Sequence, residues 1–136
     1  MGVIIAKRTE STAQFITTAN ELLIYSTRTA TKIPKKYTFY GAHHSYELAQ
    51  SIVDDLIRAN SLFFTAEKPQ NFQLRQALFD KALGNLNCLS THIVYLQGLS
   101  KDIEQHYWLK WGSLINSTRE LVRKVKDSDL NRMKKS

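Results

Sequence analysis

The sequence predicts an all-α fold, an antiparallel up-down-up-down bundle of four helices in a single domain. Apolar residues recur every three or four positions through four long segments, which is helical spacing. No segment alternates apolar and polar residues in the way that a strand does. The segments are joined by connections of about three to seven residues, lengths that join antiparallel neighbours in bundles. At 136 residues the chain is long enough to bury one core without disulfides or metals.

The first helix is predicted to run from near Ser11 to about Ile33. Its inward positions are Phe15, Ala19, Leu22, Ser26, Ala30 and Ile33. Ser11 and Gln14 have the spacing of a capping box, in which each side chain bonds a free backbone amide at the start of a helix. Pro34 disfavours helical geometry at the residue before it, so the helix should end there.

The second and third helices show the same periodicity. The second ends before Pro69, and its inward positions are Phe39, Ala42, Tyr46, Ala49, Val53, Leu56 or Ile57, Asn60, and Phe63 or Phe64. The inward positions of the third are Leu74, Leu78, Ala82, Leu86, Leu89, Ile93 and Leu96. The third helix is predicted to close at Gly98, because glycine tolerates the left-handed turn that often follows a helix.

The fourth helix is predicted to begin at a Ser100 cap, with Asp102 and Glu104 near the positive end of the helix dipole. Its inward positions are Ile103, Tyr107, Trp111, Leu114, Thr118, Leu121 or Val122, and Val125. The polar residues from Asp127 onward predict a frayed basic tail. The predicted organisation is an N-terminal extension (1–10), a four-helix bundle (11–126) and a flexible basic C-terminal tail (127–136).

A second apolar stripe on the third helix consists of Phe72, Phe79 and Leu83. A lone bundle does not easily cover two stripes, and large exposed apolar patches are uncommon on monomers. The stripe therefore motivates the hypothesis of a homo-oligomer, which light scattering tests.

The composition is that of a globular protein, with 43% hydrophobic and 23% charged residues. No run approaches the roughly 20 apolar residues of a membrane span, and residues 3–6 are too few for the core of a signal peptide. A single cysteine, Cys88, agrees with a reducing compartment. A cytoplasmic protein with no membrane association is expected.

The net charge of +7 is concentrated at the two ends of the chain. Residues 1–37 carry six Lys and Arg against two acids, and residues 100–136 carry nine against five. Such asymmetry indicates association with polyanions or acidic partners, or a surface that only maintains solubility.

Residues with catalytic or metal-binding potential are few. Cys88 and His92 have the spacing of two ligands on one helix face, but a structural zinc needs four ligands, and Cys88 is more simply a small, partly buried hydrophobe. Asp54 and Asp55 are adjacent, which indicates a solvated acidic face. The common phosphate-loop, hydrolase and metalloprotease motifs are missing. The prediction is a protein with no catalytic residues, no metal and no cofactor. The rival hypothesis is a small enzyme built on inward His and acidic residues. Metal analysis of the purified protein tests it.

The basic residues form two stripes at helical spacing. The candidate binding residues are Arg28, Lys32, Lys35 and Lys36 around the first connection, and Arg119, Arg123, Lys124 and Lys126 on the fourth helix. Lys and Arg bind phosphates with salt-dependent, sequence-tolerant affinity. Of the nearby aromatic residues, Tyr107 and Trp111 are assigned to packing, and Trp108 is left as an outward ring that could stack on bases.

The order of these features resembles a known family. The features are the run Leu22-Leu23-Ile24-Tyr25, the run Ile33-Pro34-Lys35-Lys36-Tyr37, Gly41, the helix end Ala59-Asn60, the pair Leu86 and Leu89, and Ser100, Gly112 and Leu114. The chain, over roughly residues 15–126, resembles the accessory variability determinant (Avd) proteins of diversity-generating retroelements. These are similar to the four-helix proteins encoded in intervening sequences of bacterial 23S ribosomal RNA genes. The sequence departs from the pattern at residues 116–118, where a tryptophan is common, which leaves open which of the two families is nearer.

The resemblance implies a non-enzymatic bundle that assembles into a pentameric barrel and is bacterial, archaeal or phage-encoded. It implies that the barrel binds a reverse transcriptase together with its template-repeat RNA or the cDNA, and supports mutagenic cDNA synthesis. The basic run at residues 33–37 and the pair Arg123 and Lys124 match basic positions of the family. The alternative is a structural bundle of the ribosomal intervening-sequence type with no reverse transcriptase partner, and the neighbouring genes distinguish the two.

Overall fold

The computed structural model describes residues 2–65 and 67–135, with side chains from residue 14 onward. Within these residues the chain is all-helical. It forms α1 (Gly2–Ala30), α2 (His43–Asn60), α3 (Pro69–Leu99) and α4 (Gln105–Lys135). A short 3-10 turn (Lys35–Tyr37) and a π-helical turn (Thr38–Ala42) connect α1 to α2. The helical class is confirmed, and the arrangement is consistent with a bundle of helices.

Helix α1 ends close to the predicted place but begins much earlier. It stops at Ala30, and Ile33 is buried before Pro34 turns the chain. It begins at Gly2, so the predicted start at Ser11 is wrong, and Ser11 lies inside the helix. A cap contributes only about 1 kcal/mol, whereas residues 2–10 contain no proline to stop a helix that has already formed.

The connection into α2 corrects the predicted inward face of that helix. Phe39 and Tyr46 are exposed, although their spacing had placed them inward. The π-helical turn accounts for Phe39, because it takes more residues per turn than an α-helix and shifts the register of everything before His43. The turn buries Gly41 instead, against α3: a Cβ on Gly41 would collide with the side chain of Leu96. From Ala49 to Leu56 the inward positions of α2 follow the predicted spacing, but the helix ends at Asn60, which is half-buried, and Phe63 is exposed in the connection that follows.

Helices α3 and α4 are longer than predicted. Gly98 lies inside α3 with no left-handed backbone, and α4 begins at Gln105, so neither the Gly98 stop nor the Ser100 cap forms. Residues 127–135 continue α4, where the sequence had predicted a frayed tail. Asp129 explains the difference, because it is buried and pairs with Arg75 at the start of α3. Arg75 also takes the inward position that had been assigned to its exposed neighbour Leu74.

The core lies between the helices and is continuous. Its largest fully buried side chains are Trp111, Phe15, Phe79, Leu22, Ile52, Leu56, Leu86, Leu89, Leu96, Ile115 and Val122. Helix α2 packs against α1 and α3, and α4 packs against α3 and α1. None of the helices in the described ranges combines the length and apolar character that a bilayer-crossing segment needs.

The second stripe on α3 is covered largely within the chain. The ring of Phe79 is fully buried and meets Phe15 edge-on, with 5.9 Å between ring centroids. The ring centroid of Phe72 lies 5.3 Å from that of Phe64, and Leu83 is half-buried against the core. Phe79 is therefore covered within the chain, whereas Phe72 and Leu83 are half-buried, and the homo-oligomer stays a prediction.

Candidate nucleic-acid interface

The C-terminal end of α1 lies beside the N-terminal end of α4. The Tyr25 hydroxyl donates to the backbone carbonyl of Tyr107 at 2.8 Å, and the buried Trp111 indole N–H donates to the Ser26 hydroxyl at 2.8 Å. At the other end of α4, Gln76 of α3 donates to the carbonyl of Lys126. The two predicted basic stripes consequently lie toward opposite ends of the helices.

The first stripe supplies a cluster of exposed cations, here called the lysine turn: Lys32, Lys35 and Lys36. All three are exposed, and so is Arg28 one helical turn earlier. Among the described residues, none of these four cations forms an ion pair with an acid. Helix α1 ends at Ala30, and Pro34 precedes the short 3-10 turn that places Lys35 and Lys36 at the surface.

Aromatic rings contact three lysines at this end of the molecule, among them Lys36, whose ammonium lies 5.1 Å from the ring centroid of Tyr37. The Lys32 ammonium lies 4.7 Å from the ring centroid of Tyr107, and the Lys110 ammonium lies 5.3 Å from that of Tyr25. A ring face attracts a cation without neutralising it, so all three charges remain available to an anion. Lys110 is a further candidate that sequence spacing missed. Its aromatic partner, Tyr25, is far away in the sequence on another helix, and only the fold brings the two together.

Burial raises the pKa of the Tyr25 phenol, which packs between α1 and α4. Tyr107 adds to the increase, while the Thr29 hydroxyl and the charge of Lys32 act in the opposite direction. The phenol is therefore neutral at physiological pH and donates its hydrogen bond to α4.

A cleft of about 210 Å³ lies beside the lysine turn. It is lined by Lys32, Pro34, Lys36, Tyr37, Leu99, Ser100, Asp102 and Ile103. Lys32 and Lys36 on one side and Asp102 on the other give this cleft charges of both signs.

The second stripe is only partly available. Lys126 pairs with Asp80 of α3, which neutralises its charge. Arg119 is half-buried and donates to the Asn116 side chain at 2.5 Å. Arg123 and Lys124 are exposed, and no acid pairs with either among the described residues. Arg123 and Lys124 are thus the exposed cations of the predicted stripe for which the described residues supply no acid partner.

The aromatic side chains are distributed differently from the prediction. Trp108 is only 4% exposed and stacks on Trp111 with 6.0 Å between ring centroids, so it is not an outward ring. Two strongly exposed rings lie on the π-helical turn, where Phe39 is 97% and Tyr40 is 67% exposed. Sequence periodicity missed them because it assigned Phe39 to the core.

The residues considered for chemistry are placed as follows. Cys88 is exposed, which corrects its assignment as a partly buried hydrophobe, and a ring nitrogen of His92 lies 2.8 Å from the Gly41 carbonyl. Asp55 is buried, with one oxygen near Arg58 and Lys81, which corrects its assignment to a solvated face. Over the described ranges, His, Cys, Asp and Glu side chains form no group of three or more that could hold a metal ion.

Comparisons of the chain with known protein families, with characterised proteins and with solved structures found no match.

Proposed function

We propose that this protein is a non-enzymatic scaffold that binds RNA and protein and accompanies a reverse transcriptase, as the resemblance to the retroelement accessory proteins implies. The observation that carries the proposal is the lysine turn, where Lys32, Lys35 and Lys36 are exposed and pair with no acid of the described residues. Unpaired lysines bind phosphates by releasing counterions, and this gives affinity that does not depend on base sequence.

The proposed architecture is an up-down-up-down bundle that assembles into a pentameric barrel. Contacts between the end of α1 and the start of α4, and between Arg75 of α3 and Asp129 of α4, support antiparallel neighbours. Repetition of the lysine turn around a ring of subunits multiplies weak phosphate contacts, because linked sites bind together with higher avidity.

A charge reversal tests the RNA-binding part of the proposal. The variant Lys35→Glu/Lys36→Glu is compared with Lys134→Glu/Lys135→Glu, a second pair of adjacent exposed lysines at the far end of α4. Binding of fluorescent oligouridine is measured by anisotropy over a range of salt concentrations. We expect the first variant to lose at least about tenfold in affinity near physiological salt. The slope of log affinity against log salt concentration should also become shallower, by the amount that about two phosphate contacts contribute.

The control variant should bind within about twofold of the wild type, and both variants should melt within a few degrees of it, because exposed charge changes usually alter stability by within about ±0.5 kcal/mol. Unchanged binding in the first variant, or an equal loss in the control, contradicts a role for the lysine turn.

Co-purification tests the protein partner. The proposal requires a reverse transcriptase gene beside this one, and its product should be retained by the tagged protein, more strongly with its RNA than after ribonuclease treatment. RNA binding without retention of the transcriptase would leave an RNA-binding bundle and remove the accessory role.

A further inference from the structure

The π-helical turn presents two aromatic rings to solvent. Gly41 and Ala42 are buried against the core, and Gly41 is held by the contact of its carbonyl with His92. The two residues before them, Phe39 and Tyr40, therefore lie on the outer side of the turn, 97% and 67% exposed. Single π-helical turns inside helical segments occur frequently at functional sites.

These rings continue directly from the lysine turn. Lys35 and Lys36 precede them by a few residues and carry no acid partner among the described ion pairs. A shallow cleft of about 340 Å³ adjoins the rings and is lined by Thr38, Phe39, Tyr40, His43, His44 and Glu47. Its one carboxylate, that of Glu47, lies 3.4 Å from a ring nitrogen of His43, and it is outnumbered by the three exposed lysines of the adjoining turn.

The combination of exposed rings and unpaired lysines favours one kind of occupant. A second copy of the chain in a symmetric contact would bring two sets of these lysines together, which like charges disfavour. An RNA duplex offers phosphates but keeps its bases stacked inside. A single strand offers both phosphates and free base faces, which stack on aromatic side chains without regard to sequence.

We propose that the turn at residues 35–40 is a binding surface for single-stranded RNA, on which Phe39 and Tyr40 stack unpaired bases while Lys35 and Lys36 contact the phosphates. This inference rests on the RNA-binding role proposed above and adds to it the form of the RNA and the side chains that select it. The bases that stack are those outside paired regions.

The test compares two labelled RNAs of equal length, oligouridine and a perfect duplex. The variant Phe39→Ala/Tyr40→Ala removes the rings, and Phe63→Ala removes another exposed ring, 81% accessible, at the far end of α2. We expect the double variant to lose at least about tenfold in affinity for oligouridine, since each stacked base is worth about 1–3 kcal/mol. Its affinity for the duplex should stay within about twofold, and Phe63→Ala should bind like the wild type. Phe39→Trp/Tyr40→Trp should retain oligouridine binding, because tryptophan also stacks.

Several outcomes overturn the inference. If Lys35→Glu/Lys36→Glu loses oligouridine binding but Phe39→Ala/Tyr40→Ala does not, the RNA-binding role stands and the stacking surface is wrong. Equal losses for oligouridine and duplex exclude base stacking as the cause. A lower mass of the ring-removal variant in light scattering assigns the rings to a subunit interface. Binding to vesicles with anionic lipids that depends on the rings, with unchanged oligouridine binding, assigns them to a membrane. A wild type that binds neither RNA removes both the inference and the proposed function.

Discussion

The ion pair between Arg75 and Asp129 predicts a large loss of stability when its acid is neutralised. Both side chains are buried, 8% and 3% exposed, and the guanidinium meets the carboxylate through two hydrogen bonds of 2.8 and 3.2 Å. The third nitrogen of Arg75 donates to the carbonyls of Ala59 and Leu62 at the end of α2. One guanidinium thus joins α2, α3 and α4.

The substitution Asp129→Asn removes the negative charge with almost no change in volume. It leaves the Arg75 charge buried without its counter-ion. The amide nitrogen that replaces one carboxylate oxygen then faces an N–H group of Arg75, and two donors cannot bond each other. Breaking a buried pair from one side costs about 3–5 kcal/mol, which agrees with two charge-assisted bonds of about 1.5–3 kcal/mol each. For a domain of this size the melting temperature should fall by roughly 10–20 °C.

Urea denaturation followed by circular dichroism measures the effect, with Asp127→Asn as the control. Asp127 is an exposed acid on the same helix and pairs with no described residue, so its neutralisation should change the free energy of unfolding by less than about 0.5 kcal/mol. The double variant Arg75→Met/Asp129→Leu should be less destabilised than Asp129→Asn, because it leaves no unpaired buried charge. A loss below about 1 kcal/mol for Asp129→Asn would refute the reasoning.

Two further predictions concern the end of the molecule that carries the lysine turn. Gly41→Ala should lower the free energy of unfolding by about 1–3 kcal/mol, because the added Cβ overpacks α3. Gly84→Ala should raise it by roughly 0.5–1 kcal/mol, because a Cβ there meets nothing within 4 Å beyond the backbone of its own helix. The midpoints of urea denaturation, at an unchanged slope, compare the two variants, and equal shifts would contradict the packing argument. The raised pKa of Tyr25 means that its contribution to stability is complete below the unfolded value of about 10 and is lost as the pH rises through the folded value. Unfolding free energies measured from about pH 8 to pH 11 should therefore fall less steeply for Tyr25→Phe than for the wild type, and parallel curves would count against the burial of the phenol.

Periodicity located most inward residues because burial of one helix face imposes a repeat of three or four positions. The inward faces predicted for α1 and α4 are buried or half-buried throughout, from Phe15 to Val125. Phe39 was misplaced because a π-helical turn has no local sequence signature and moves the register by its extra residues. The extent of α4 was missed because Asp129 reads as a polar tail residue until the fold brings Arg75 to it from the start of α3.

The candidate site could be predicted only in part for a similar reason. Pro34 with its flanking lysines indicates an exposed basic turn in the sequence itself, and the structure exposes those lysines. Whether a charge is free depends on partners that lie far away in the chain. Lys126 and Arg123 look alike in the sequence, yet Asp80 of another helix pairs with Lys126, whereas no acid in the described part of the chain pairs with Arg123.

The basic residues consequently divide into those that the fold uses and those that it leaves free. Arg75, Lys81 and Lys126 pair with acids on other helices, and their charges contribute to packing. A ligand that bound these side chains would have to break an internal ion pair, which would lower the stability of the fold. No acid among the described residues pairs with the lysines of the turn, so a phosphate that bound there would displace no carboxylate. Two of these lysines, Lys35 and Lys36, follow Pro34, which restricts the backbone before them, and precede Gly41, which is packed against α3. The binding proposed at this turn should therefore respond to substitution with little effect on the stability of the helices, which is the property that the charge-reversal experiment tests.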